Sequence, residues 1–324
     1  MATALIGTLV VSGVLLTQAA PADPTAILPS PADPTPTDPP PSPEPSPSPT
    51  MSPSAEVQPD PTTAVRDALA RYVASRRAHA GIAVLDRITG IALAYQDSTR
   101  FTTASVVKVD ILATLLWRYQ RANRQLSPYQ RDLAEDMIVH SDNNAASTLW
   151  DAAGGASGIA QANQAFGLTQ TSPNRGDYWG ATTTTAADQL RLLGTLAAPA
   201  GPLSTTRQGY EWNLLGHVES DQRWGVPRAA GTAATAVYVK NGWWPSKGRW
   251  IMNSVGRVVE PGHDWLVAIL SDRNPTERSG MSLVEHLAWL ALDGLRKATV
   301  SPAPTVSTAP TVSSAPTVSP APSG

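Results

Sequence analysis

A serine and a lysine three residues apart, Ser105 and Lys108, begin a segment that is apolar on nearly every side. Such a segment predicts a buried helix, and residues at this spacing lie on one helix face. Burial disfavours an ammonium, so the pKa of Lys108 should fall and its amine could act as a base towards the Ser105 hydroxyl. The alternative, and the commoner outcome, is a helix-capping serine beside a lysine that extends to solvent.

Two further motifs carry groups that could join this pair. Ser141-Asp142-Asn143 separates two predicted helices. It could present a hydroxyl and a carboxamide to a site, or it could only cap the second helix. Lys240-Asn241-Gly242 ends a predicted alternating strand over 236–240, and its glycine permits close approach of a substrate backbone. The alternative for Lys240 is an edge-strand lysine next to a turn.

The three motifs, in this order on helix, turn and strand, form the signature of penicillin-recognising serine enzymes. The sequence resembles class A β-lactamases and the related penicillin-binding D,D-peptidases over about residues 62–297. It is similar in particular to secreted actinobacterial β-lactamase-like serine hydrolases, through MIVHSDNNAA at 137–146 and VKNGWWP at 239–245. The resemblance implies a β-lactam or a D-Ala-D-Ala-like peptidoglycan stem peptide as substrate, and no cofactor.

The resemblance also implies a catalytic role for four side chains. Ser105 would be the acylated nucleophile and Lys108 the base that activates it. Ser141 would pass a proton to the leaving nitrogen. Lys240 would supply positive charge for Ser141 and for a substrate carboxylate.

Substrate binding is implied for residues beside these four. Asn143 would hold the substrate amide. The oxyanion hole would consist of the backbone N–H groups of Ser105 and of Trp243, the residue that follows Gly242. Losing one such donor typically costs about 10²–10³ in rate.

Two departures from the family pattern bear on turnover. Asn241 stands where the family usually has Thr or Ser, whose hydroxyl contacts the substrate carboxylate. The loop Glu that hydrolyses the acyl-enzyme in class A β-lactamases is missing, because no Glu occurs between Asn143 and Glu211. Asp177 is a candidate for holding the water, although a surface turn is the commoner place for such a residue. We therefore expect a long-lived acyl-enzyme.

Aromatic and cationic side chains extend the predicted substrate site. Four tryptophans fall near loops expected to rim it, namely Trp179, Trp224, Trp243 and Trp244. Aromatic walls suit sugar or peptide ligands, although core packing is the default for each of them. Arg223 or Arg228 could anchor a substrate carboxylate, and a solvated surface arginine is the more frequent alternative.

Hydrophobic patterning predicts the elements that position these motifs. Strands are predicted at 81–85, 91–95, 236–240, 249–255 and 265–271, a first helix capped by Thr62 or Thr63, and a last helix at 282–297. The intervening segment from 105 to about 196 is mostly helical. This order indicates an α+β fold of the β-lactamase/transpeptidase-like type. It has a five-stranded antiparallel sheet, flanking N- and C-terminal helices, and an all-helical subdomain inserted after strand two.

Proline content divides the 324 residues. Of 30 prolines, 16 lie between Pro21 and Pro61 and six between Pro302 and Pro322. These flanks lack the large apolar side chains needed to offset the entropy of ordering. We predict one globular domain over 62–297, between a disordered Pro-rich linker over 23–61 and a disordered tail over 298–324.

An apolar run of 13 residues, 4–16, precedes small residues at 19–22. It is shorter than the roughly 20 residues of a membrane span and is typical of a signal-peptide core, although no Lys or Arg precedes it. We predict export through residues 1–22 and a secreted or envelope-associated protein, with cell-wall polymer as its partner.

Charge and composition exclude several classes. All 24 Lys and Arg lie between Arg66 and Lys297, together with 20 of the 26 acidic residues, a formal charge of +4 for the domain. So mild and scattered a charge argues against nucleic-acid binding. With no Cys and no His pair at i, i+4 spacing we expect no metal site, and we expect a monomer.

Other functions remain open on the sequence alone. A Ser-His-Asp hydrolase is disfavoured because the domain has no Gly-x-Ser-x-Gly elbow. A non-catalytic wall-binding or sensor module could keep the fold, and acylation of Ser105 would distinguish it. The motif residues do not separate a β-lactamase from a D,D-carboxypeptidase.

Overall fold

The structure, a computed structural model, describes residues 60–176 and 178–300. The predicted signal segment, almost all of the predicted linker and most of the predicted tail lie outside these residues, as does Asp177. Within the described range, none of the helices is both long and apolar enough to cross a membrane.

The described residues form eight α-helices and seven strands. The helices are α1 Pro61–Ser75, α2 Val107–Arg121, α3 Pro128–Val139, α4 Asn143–Ala152, α5 Gly155–Phe166, α6 Ala186–Ala197, α7 Thr205–Gly216 and α8 Glu277–Val300. The strands are β1 His79–Asp86, β2 Ala92–Tyr95, β3 Arg100–Thr102, β4 Thr183–Thr185, β5 Ala236–Ser246, β6 Arg249–Glu260 and β7 His263–Asn274. Short 3₁₀ turns occupy part of the loops.

Five of the strands form one antiparallel sheet in the order β2-β1-β7-β6-β5, while β3 and β4 pair separately. Side chains of β7 alternate between two hydrophobic cores, as expected for a strand covered on both faces. Leu266, Ala268 and Leu270 pack with the helical subdomain, whereas Val267 and Ile269 pack with α1 and α8. The predicted α+β fold is confirmed, including the helical insertion after the second strand.

Several predicted boundaries were wrong. Helix α1 is capped by Asp60, whose carboxylate accepts from the Thr62 backbone N–H at 2.9 Å, and not by a threonine. Strand β5 does not end at Lys240 but continues to Ser246 against β6. An edge strand tolerates Pro245 because its outer side needs no ladder hydrogen bond. The Lys-Asn-Gly motif therefore lies inside a strand.

Two carboxyl groups are buried in the core of the helical subdomain. Asp110 lies on α2 and Glu211 on α7, and each is at most 1% exposed. Within the described residues, Asp110 Oδ2 and both Glu211 oxygens have no hydrogen-bond partner. Burial raises the pKa of Asp110 to about 7, and burial together with the nearby Asp110 raises the pKa of Glu211 well above its usual range. Both buried carboxyl groups therefore hold their protons more tightly in the folded protein than in the unfolded chain.

The substitution Asp110→Asn should stabilise the protein above pH 7 and change little at pH 4. The unfolded chain releases this proton near pH 4 and the folded chain near pH 7, so the wild-type free energy of unfolding falls across that window. An asparagine side chain does not ionise, and the gain should be on the order of a few kcal/mol. Urea unfolding at pH 4, 5.5 and 8 measures it, with the exposed Asp67→Asn as control. Parallel pH profiles for wild type and Asp110→Asn would contradict it.

Candidate active site

Ser105 lies in a 3₁₀ turn, Ala104–Val106, that leads directly into α2. The turn begins with Ala104 in the left-handed region, at φ 46°. It is held from below by the buried Asn253 of β6, whose side-chain N–H groups donate to the Thr102 and Thr103 carbonyls at 2.9 and 3.0 Å. Half-buried Ser105 therefore sits on a turn fixed to the sheet.

Lys108 lies one turn further along and is completely buried. Its Nζ donates to the backbone oxygen of Ser141 at 2.6 Å, to Ser141 Oγ at 3.0 Å and to Asn143 Oδ1 at 2.9 Å. Burial lowers the pKa of Lys108 to about 7, although the Asp142 carboxylate acts in the opposite direction. A lysine that is partly neutral at pH 7 can accept a proton.

Ser141 joins this lysine to a second one. Its backbone is left-handed, at φ 56°, and its Oγ also accepts from Lys240 Nζ at 3.0 Å. Lys240 is completely buried in β5, and burial together with the charge of Lys108 holds its pKa well below the usual range. Because Lys108 and Lys240 both donate to the Ser141 hydroxyl, the three groups form a hydrogen-bonded chain along which a proton can move.

Gly242 brings β5 against the nucleophile turn. A Cβ at this position would lie 2.7 Å from the backbone nitrogens of Ser105 and Val106 and 2.8 Å from the Thr103 oxygen. The glycine therefore lets β5 approach the backbone of the Ser105 turn, while its predicted contact with a substrate backbone stays a prediction. Trp243 is the next residue of the edge strand β5 and lines the same cleft as Ser105.

Asn241 does not face the substrate side, contrary to the sequence interpretation. Its side chain is completely buried, and its Nδ2 donates to the carbonyls of Gln222 at 2.7 Å and Trp224 at 2.9 Å. Both donor hydrogens are therefore used to hold the 222–224 loop. An amide with two donors suits this anchoring, which the single hydroxyl hydrogen of Thr or Ser could not provide.

A cleft of about 360 Å³ opens over Ser105. It is lined by Ala104, Ser105, Asn143, Tyr178, Trp179, Gly180, Trp243, Trp244 and Pro245. Four of these residues were not predicted from the sequence to belong to the site, namely Ala104, Tyr178, Gly180 and Pro245. Tyr178 and Gly180 adjoin Trp179, which was predicted. Trp179 is held in place by its indole N–H, which donates to Ser147 Oγ at 3.0 Å.

Three further residues named from the sequence lie away from the cleft. Trp224 is buried and packs edge-on behind Trp243, with ring centroids 6.0 Å apart. Arg223 donates to the Gly216 and Val237 carbonyls at 3.1 and 3.0 Å, so it anchors a loop and not a carboxylate. Arg228 pairs with Glu285 at 3.3 Å on α8.

No carboxylate lines the described part of this cleft. Asp177 stays a prediction, since it lies outside the described residues. Glu211, the first Glu after Asn143, is buried in the helical core and does not reach the cleft. Among the described residues no three His, Cys, Asp or Glu side chains are grouped to hold a metal ion.

Sequence comparison places these residues among known proteins. A family model described as the beta-lactamase enzyme family matches residues 119–295, more than half of the chain. LppW of Mycobacterium tuberculosis, whose name describes it as a lipoprotein, is 30% identical over 200 residues. The same match is found with LppW of Mycobacterium bovis. It covers 59% of this chain and 62% of LppW, so the similarity spans less than two thirds of that relative's length.

Comparison with solved structures supports the fold independently. A class A β-lactamase from Mycobacterium abscessus superimposes with a TM-score of 0.62 at 19% identity, covering 72% of this chain and 99% of the other. A class A β-lactamase from Bacteroides cellulosilyticus gives 0.65 at 15% identity, covering 74% and 100%. A point mutant of PBP-A, solved as an acyl-enzyme complex with penicillin G, gives 0.63 at 20% identity, covering 72% and 97%. Similarity at these identities establishes the fold.

Proposed function

Because the chain belongs to the beta-lactamase enzyme family, we propose that it is a serine hydrolase that forms an acyl-enzyme on Ser105. The proposed substrate is a β-lactam or a D-Ala-D-Ala-like peptide. The observation that carries the proposal is the convergence of three distant motifs, since Lys108 Nζ and Lys240 Nζ both lie 3.0 Å from Ser141 Oγ. Two lysines with a purely structural role would not require a shared hydrogen-bond acceptor, Ser141 Oγ, beside a cleft that exposes Ser105.

The proposed acylation gives each of these groups a role in proton transfer or charge stabilisation. Neutral Lys108 takes the proton of the Ser105 hydroxyl while Oγ attacks the carbonyl carbon. The C–N bond then breaks, and the leaving nitrogen receives a proton from the Ser141 hydroxyl. Ser141 regains its proton from the ammonium of Lys108, and the N–H that Lys240 donates to Ser141 Oγ stabilises the serine oxygen during the transfer.

Backbone donors and the cleft walls would bind the substrate. The N–H groups of Ser105 and Trp243 are the proposed oxyanion hole, supported by the close approach of Gly242, the residue before Trp243, to the Ser105 turn. Asn143, which lines the cleft, would hold the substrate amide. The indoles of Trp179 and Trp244 would supply apolar lining.

Slow deacylation is part of the proposal. Hydrolysis of the ester needs a base that activates water, and the described lining of the cleft contains no carboxylate. The protein would therefore trap a penicillin for longer than an efficient β-lactamase does. A D,D-carboxypeptidase acting on peptidoglycan is the second candidate, supported by the same cleft and by the likeness in fold to the PBP-A mutant, which was solved acylated by penicillin G.

We also propose that the protein works at the cell envelope. The supporting observations are the apolar segment over 4–16 and the relative LppW, a lipoprotein by name. The two Pro-rich flanks would then be spacers that let the domain reach wall polymer.

Intact-protein mass spectrometry tests the proposed function. The wild-type protein is incubated with penicillin G, freed of excess drug and weighed over several hours. We expect an increase by the mass of one intact penicillin that decays slowly. Nitrocefin hydrolysis and D-alanine release from a D-Ala-D-Ala peptide then separate the two candidate activities. No adduct and no turnover of either substrate would overturn the proposal in favour of a non-catalytic module.

A further inference from the structure

A second and larger cleft, of about 780 Å³, shares no lining residue with the candidate active site. It lies where the C-terminal end of α1, the start of β6, the end of β7 and the first turns of α8 meet. Its volume is within the range of roughly 300–1,000 Å³ that is usual for ligand pockets. The proposed function makes no use of it.

Five arginines line this cleft: Arg76, Arg77, Arg249, Arg273 and Arg278. All five are exposed at its surface, and no Asp or Glu is among the described lining residues. Within the described part of the chain only one of the five pairs with a carboxylate: Arg273 lies 3.5 Å from Asp272. That carboxylate also binds His79 at 2.5 Å, so most of the positive charge is uncompensated.

Two of these arginines stand on strained backbone. Arg77, just after α1, has φ 50°, and Arg273, near the end of β7, has φ 58°. A left-handed conformation costs a non-glycine residue on the order of 1 kcal/mol, and glycine would remove that cost. Both positions nevertheless carry a long cation that lines the same cleft, which points to a use for the charge.

Polar groups complete the lining. Thr276 and Ser279 cap the start of α8 reciprocally, with the Thr276 N–H donating to Ser279 Oγ at 3.0 Å and the Ser279 N–H to Thr276 Oγ1 at 3.1 Å. The first turn of this 24-residue helix thus borders the cleft and adds the positive end of its dipole. Tyr72 supplies an aromatic wall, with the Arg76 guanidinium 5.3 Å from its ring centroid.

We infer that this cleft binds an anionic ligand through its phosphate groups. A guanidinium presents parallel N–H donors that match two oxygens of one phosphate. A phosphate monoester carries about −1.5 to −2 charges at pH 7, more than a carboxylate. Five cations within one cleft therefore match a ligand with several phosphate charges, and the hydroxyls of Thr276 and Ser282 offer further hydrogen bonds to it.

Isothermal titration calorimetry with inorganic pyrophosphate tests the inference on the full chain. We expect saturable binding at one site, stronger than that of citrate at equal ionic strength. The double variant Arg76→Gln/Arg278→Gln should weaken it by roughly tenfold to a hundredfold. The double variant Arg131→Gln/Arg175→Gln removes the same charge from exposed arginines outside the cleft and should leave the affinity within about twofold.

Sedimentation with phosphatidylglycerol vesicles identifies the source of the phosphate. If wild type sediments with the vesicles and the Arg76→Gln/Arg278→Gln variant does not, the ligand is a lipid headgroup. If only pyrophosphate binds, it is a soluble phosphorylated molecule. Binding in neither arm, equal affinity for citrate, or equal loss in both double variants would overturn the inference. Acylation of Ser105 takes no part in these measurements, so they stand apart from the proposed function.

Discussion

Replacing Ser105 by alanine is expected to abolish the penicillin adduct completely while leaving the fold intact. Ser105 supplies the only oxygen that the proposal places at the attacking position, and its side chain lines the cleft. Loss of a catalytic serine costs on the order of 10⁶ in rate in serine hydrolases. Such a loss moves acylation below detection in an overnight incubation. Alanine fits the 3₁₀ turn, because the hold on this turn comes from Asn253 and the main chain.

The control for this experiment is Ser157→Ala, which removes an exposed serine on α5, away from the cleft. It should give the same adduct as wild type at the same rate. Peptide mapping of the wild-type adduct should place the added mass on the peptide that contains Ser105. An adduct of equal yield in Ser105→Ala would contradict the assignment and move the nucleophile to another hydroxyl.

Much of the fold could be predicted because its signals are local. The apolar run 265–270 of β7 and the spacing of apolar residues in α8 are each visible within a short stretch of sequence. The predicted strand over 236–240 is too short because the residues at 243–245 have the composition of a loop. Only their pairing with 250–252 of β6 makes them part of strand β5. Partners more than a few residues apart leave no such local pattern.

The candidate site divides in the same way. The resemblance named Ser105, Lys108, Ser141 and Lys240, and the structure brings the last three together around one hydroxyl. The resemblance does not predict that the Asn241 side chain is buried, because its orientation depends on hydrogen bonds to carbonyls of the 222–224 loop, which is distant in sequence. The cleft lined by five arginines could not be predicted from the sequence either, since these arginines come from four elements separated by up to about 200 residues.

Replacing Lys108 by methionine should slow acylation by about 10²–10⁴, the usual contribution of a general base. Methionine keeps the length and the apolar stem of the side chain but cannot accept a proton. Burial lowers the pKa of Lys108 to about 7, so its neutral, proton-accepting form grows as pH rises through 7. The wild-type acylation rate should therefore rise across that range, and the methionine variant should lose this rise. Stopped-flow mixing with nitrocefin at pH 5.5 to 8.5 measures both.

Two further variants separate the base from the charge at this position. Lys108→Arg keeps a cation that does not deprotonate, so it should be as slow as Lys108→Met if proton transfer is what matters. Lys247→Met removes an exposed lysine from the β5–β6 turn and should retain both the rate and the pH profile of wild type. Near-wild-type acylation by Lys108→Arg, with its thermal unfolding unchanged, would show that Lys108 acts by charge alone. The base would then have to be Lys240, the other buried amine on Ser141, whose pKa is also held low by burial.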